Sequence, residues 1–117
     1  MHMETLKLHI ACLYKLRKDN ALFSLAHKLI DAKPTSPISW YAVGTYYLSK
    51  RQNQSSRKYF SKAVSLDSKF AEGWLGFGHT FREEGELDQA IYAYSTSKKW
   101  AHHSFEPLLY IGMRLSV

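Results

Sequence analysis

An all-α fold is predicted, a solenoid of antiparallel helix pairs, and three observations predict it. The segment "SWYAVGTYYLSK" at 39–50 returns in altered form as "GWLGFGHTFREE" at 73–84, with Trp74 on Trp40 and Gly78 on Gly44. Within the copies, Trp40, Val43, Gly44 and Tyr47, then Trp74, Phe77, Gly78 and Phe81, follow the i, i+3, i+4, i+7 spacing of one helix face. Behind each copy a second face follows, Ser56, Phe60 and Ala63 matched by Ala90, Tyr94 and Ser97, with small residues where two helices approach closely. A unit of two helices cannot bury its apolar face alone, so such units stack into a superhelix with a concave groove.

The elements follow in order, with helices expected near 3–17, 20–32, 37–50, 54–66, 71–84, 87–100 and 105–116. The first two, in "METLKLHIACLYKLRK" and "NALFSLAHKLIDAKP", occupy the frame of a degenerate unit, with Ile10 at the glycine place and Leu22 and Ala26 exchanged in size. Pro34 marks the end of the second helix, and "SPISW" starts the third with Ser36 as N-cap and Pro37 at the first helical position. Gly85 marks the turn between the fifth and sixth. A half unit opens near the end with Leu108, Ile111, Gly112 and Leu115, so that Gly44, Gly78 and Gly112 succeed one another at a constant interval. The chain therefore divides into units at about 3–36, 37–70 and 71–104 and a half unit at 105–117, all within one solenoid fragment spanning 1–117. The apolar last helix, "LLYIGMRLSV", has no mate, which predicts a longer solenoid, a covering molecule or self-association through exposed ends.

Glycine inside a helix costs about 0.5 to 1 kcal/mol relative to alanine, so three at one repeat place imply a close helix contact. The expected repeat core is Trp40, Gly44, Tyr47, Trp74, Gly78, Phe81 and Gly112. Truncating Trp40 or Trp74 to Ala is expected to cost about 3 to 5 kcal/mol.

Composition narrows the function. The net charge of +6 is spread along the chain, as Lys15, Arg17 and Lys18, then Lys50 and Arg51, then Arg57, Lys58 and Lys62, then Lys98 and Lys99. Acidic residues interrupt it, as in "REEGELD", and the aromatics fall mostly at core places, which argues against nucleic acid as a partner. No apolar run reaches the roughly 18 to 20 residues that span a bilayer, and the start lacks a signal peptide's pattern, so an intracellular protein without a membrane is expected. The single cysteine, Cys12, forms no internal disulfide. The histidines show no metal-ligand spacing, and no phosphate loop or nucleophile elbow is present. No cofactor, metal or catalytic residue is expected.

The 34-residue period, with Trp at the fourth place, Gly at the eighth and an aromatic at the eleventh, resembles the tetratricopeptide repeat. In that geometry the second, fifth, ninth and twelfth places of each first helix line the groove. They are Ile38, Tyr41, Thr45 and Leu48, then Glu72, Leu75, His79 and Arg82, then Glu106, Leu109, Met113 and Ser116. Tyr41, Thr45, Leu75, His79 and Arg82 are the expected contacts of an extended peptide. The Lys and Asn that grip a terminal carboxylate in chaperone-binding repeats of this kind are missing, since Tyr41, Thr45, Leu75 and His79 stand in those places.

Beyond the generic repeat, "LAHKLIDAKPTSPISWYAVGTYYL", "RKYFSKAVSLD", "GWLGFGHTF", "LDQAIYAY" and "EPLLYIGM" resemble the middle region of the cell-division-cycle sixteen type of subunit of the anaphase-promoting complex, or cyclosome. That resemblance implies a non-catalytic scaffold in a nuclear and cytoplasmic ubiquitin ligase acting in the cell cycle. Its implied partners are other subunits of the ligase, including a small accessory subunit whose extended segment lies in the groove. A repeat adaptor of another assembly and an RNA-binding helical repeat are the alternatives.

Overall fold

The computed structural model describes residues 3–104. They form six helices: α1 (Met3–Lys15), α2 (Asp19–Ala32), α3 (Pro37–Ser49), α4 (Asn53–Leu66), α5 (Ala71–Glu83) and α6 (Leu87–Ser104). The described residues are thus all-helical, as expected. The seventh expected helix, with Gly112 and the groove places from Glu106 to Ser116, lies outside the described residues. Pro37 opens α3 behind Ser36, whose extended backbone is that of an N-cap, although the Ser36 hydroxyl makes no capping bond.

The helices α1, α3 and α5 end one or two residues earlier than periodicity suggests because their last residues belong to a closing turn. Lys18 N–H donates to Leu13 O at 2.9 Å, Gln52 N–H to Tyr47 O at 3.0 Å and Glu86 N–H to Phe81 O at 2.9 Å. These bonds each reach back five places and recur once per unit, the pattern of a Schellman turn. The turn needs one residue of positive φ, and here those are Arg17 (59°), Arg51 (60°) and Gly85 (73°). Only the third unit uses the residue without a Cβ. A non-glycine residue in this conformation is strained by about 1 kcal/mol or more.

Helices α2 to α6 pack mainly on their chain neighbours, α1 packs on α3 as much as on α2, and α3 meets α5 along the same side. The first helices therefore line one face and the second helices the other. Between them the glycines act as sockets. A Cβ on Gly44 would stand 2.7 Å from Phe60 Cδ1, and one on Gly78 2.8 Å from Tyr94 Cδ1. Phe60 also fills the space beside Gly76 of the next unit, so a single buried ring joins two units. In the first unit the sizes are reversed: Ile10 takes the glycine place and Ala26 the aromatic place, and both are buried in one cluster.

Of the expected core residues, Gly44 and Gly78 are buried, whereas Trp40, Tyr47, Trp74 and Phe81 are only half-buried. These rings border the core along the seam between first and second helices. Tyr59 stacks between Trp40 and Tyr47, with interplanar angles of 10° and 15°. Trp40 Nε1 donates to Pro34 O at 2.7 Å and Trp74 Nε1 to Ser68 O at 2.8 Å, the same bond in successive units. An indole with an N–H to satisfy fits a seam better than a dry interior. The fully buried places go instead to Ile10, Leu22, Ile38 and Phe60 and to hydroxyls that bond backbone, such as Ser56 to Gly44 O at 2.7 Å.

Candidate functional site

The groove stripe of α3 is largely closed. Ile38 is 0% exposed and Thr45 4%, and the Thr45 hydroxyl donates to Tyr41 O at 2.8 Å. Thr45 therefore presents almost no surface to a peptide. Tyr41 is half-buried, with its ring edge-on to Phe70 at 5.7 Å and tilted against Phe60. Burial pushes its hydroxyl up to about 12, with the Glu72 carboxylate adding to the shift. The cause is the approach of α1 and α5 from either side. Lys7 of α1 pairs with Glu72 of α5 at 3.3 Å and stands over the Phe70 ring.

The stripe of α5 is open. Leu75 is 43% exposed, His79 is half-buried and Arg82 is exposed. Their spacing of i, i+4, i+7 sets an apolar, a polar and a cationic group in one row. His79 Nδ1 lies 2.7 Å from the Tyr94 hydroxyl. Burial lowers the His79 pKa, and the Arg82 charge lowers it further, against Glu83. The imidazole is therefore neutral near pH 7, and the bond to Tyr94 holds its ring in place. Such a row can take an apolar side chain beside Leu75, a hydrogen-bonding group at His79 and an acidic group at Arg82. Of the five expected groove residues, the structure sets these three on one accessible surface and leaves Tyr41 and Thr45 inside or at its edge.

Two ion-pair systems escape a reading of spacing alone. Besides Lys7 and Glu72, Arg57 of α4 reaches across to the next unit. Its Nε donates to Thr80 Oγ1 at 3.2 Å, its Nη2 to Glu84 Oε1 at 2.7 Å, and its guanidinium lies 4.1 Å from the Phe81 ring centroid. The acids of "REEGELD" thus answer a base of the preceding unit. Among the described residues, no group of three or more His, Cys, Asp or Glu could hold a metal ion, and no helix is long and apolar enough to cross a membrane.

Comparison with known proteins agrees with the helical-repeat fold. The family model described as tetratricopeptide repeat matches residues 38–70, which hold α3 and α4. A solved structure described as the hetero-tetramer Cut9-Hcn1 of the anaphase-promoting complex superposes with a TM-score of 0.81 at 39% identity, over 83% of this chain and 19% of that one. The chain is a tetratricopeptide repeat protein. Across nearly its whole length this repeat protein is similar to the human "Cell division cycle protein 16 homolog", at 43% identity over 113 residues, 96% of this chain and 18% of that protein. It is also similar to the "Anaphase-promoting complex subunit CDC16" of Saccharomyces cerevisiae, at 45% identity over 106 residues, 91% of this chain and 13% of that protein. The chain spans less than a fifth of the length of these relatives.

Proposed function

We propose that this repeat protein is a non-catalytic interaction scaffold, a segment of a subunit of the anaphase-promoting complex acting in cell-cycle control in nucleus and cytoplasm. The row of Leu75, His79 and Arg82 receives an extended segment of a partner subunit. The observation that carries the reading is the 0.81 superposition on a subunit solved within a hetero-tetramer, taken with an exposed leucine on the side lined by the first helices. A rigid superhelix holds other subunits at fixed separations, and the bound segment stabilises the solenoid in return. The test is an affinity capture with the full-length protein, wild type against Leu75→Arg. Capture of ubiquitin-ligase subunits and a small accessory protein by the wild type, with the latter lost in Leu75→Arg at unchanged helix content, supports the reading. Capture of RNA or an unrelated assembly, or unaltered capture by the variant, overturns it.

A further inference from the structure

The two strained arginines meet at one place. Arg17 and Arg51 hold equivalent positions of the first two units, and both line a cleft of about 250 Å³ with Tyr14, Lys15, Leu48 and Asn53. The turn itself does not call for arginine. At the third such turn, Gly85 adopts the same conformation with open space around it. Intramolecular pairing does not explain the choice either. Arg51 is 78% exposed and meets Glu83, also on the cleft, only at 3.9 Å. Among the described residues Arg17 and Lys15 make no ion pair. Strain held at two repeat-related positions, both carrying the same exposed cation toward one cleft, is the kind that persists for binding.

We propose that this cleft binds a phosphorylated serine or threonine on an extended segment of a partner protein. The cleft is below the size of pockets that take drug-sized ligands and suits one side chain. Two planar guanidinium forks match the oxygens of a dianionic phosphoryl group better than two ammonium groups would, and Lys15 adds charge. Leu48 supplies an apolar wall for the neighbouring backbone, while Tyr14 and Asn53 supply neutral polar groups. Glu83 opposes the anion and competes with it for Arg51. The inference does not rest on the peptide row of Leu75, His79 and Arg82, because none of those residues lines the cleft.

The test is a titration of the isotope-labelled chain with a short glycine and alanine peptide carrying one phosphoserine, followed by backbone amide shifts. The expected result is a set of shifts centred on residues 14–17 and 48–53 that weakens as salt rises. Arg17→Gly with Arg51→Gly should weaken binding by about tenfold or more. Thermal stability of that variant should not fall, since glycine suits both turns, so lost binding cannot be mistaken for lost fold. Glu83→Gln should tighten binding. No cleft-centred shifts, unchanged affinity in the double glycine variant, or equal binding of the unphosphorylated or glutamate peptide overturns the assignment.

Discussion

Phe60 fits against Gly44 so closely that a Cβ on the glycine would stand 2.7 Å from the ring, and the ring is 1% exposed with Gly76 of the next unit also packed against it. It cannot swing away without opening the joint between units. Gly44→Ala should therefore destabilise the protein by about 2 kcal/mol, although alanine is the better helix former by nearly 1 kcal/mol. Chemical denaturation measures the change. Phe60→Leu in the same chain should recover part of the loss, and a stable Gly44→Ala would show that the ring can move after all.

At the helix turns the sign reverses. Arg17→Gly and Arg51→Gly should each raise stability by about 0.5 kcal/mol, because relief of the positive φ exceeds the added freedom of the unfolded chain. Gly85→Ala should lower it by about 1 kcal/mol for the same reason. Thermal melts of the three variants give the comparison, and a common direction of change would refute the conformational account.

Arg57 links α4 to α5 and to the turn after it. Arg57→Ala should cost about 1 to 2 kcal/mol, chiefly because it removes bonds to buried Thr80 and the cover over Phe81. The ion pairs with Glu84 and Glu86 are partly exposed and contribute little of this. Raising the salt concentration should accordingly reproduce only a small part of the effect in the wild type.

The seam position of the indoles moderates their expected contribution. Trp74→Ala should cost about 2 to 3 kcal/mol, below the range for a fully buried ring, with the bond to Ser68 O lost as well. Urea unfolding of Trp74→Ala and Trp40→Ala should give similar values, as the two rings make the same bond one repeat apart.

His79 makes stability depend on pH. Its folded pKa lies below the unfolded value of about 6.5, so the unfolded chain binds the proton more readily. The contribution of the neutral ring is complete above about pH 6.5 and is lost as the pH falls through the folded pKa. Wild type should therefore lose more stability than His79→Gln between about pH 7.5 and about pH 5.5. Equal losses would mean that burial does not disfavour the charged ring.

Local pattern by itself determined the six described helices, the turn at Gly85, the repeat and the family. Those features recur from unit to unit, and each depends on spacing within one helix or on one turn residue such as Pro37 or Gly85. Only the tertiary structure decided which groove residues are open. Thr45 and His79 hold the same place in successive units, yet one is buried and the other reaches the surface. The difference arises because α1 and α5 both close on α3, drawing Lys7 and Glu72 together from distant parts of the chain. The cleft between Arg17 and Arg51 is of the same kind. Periodicity assigns a residue to a face of its own helix, while burial of that face depends on the distance to the neighbouring units, which no single repeat encodes.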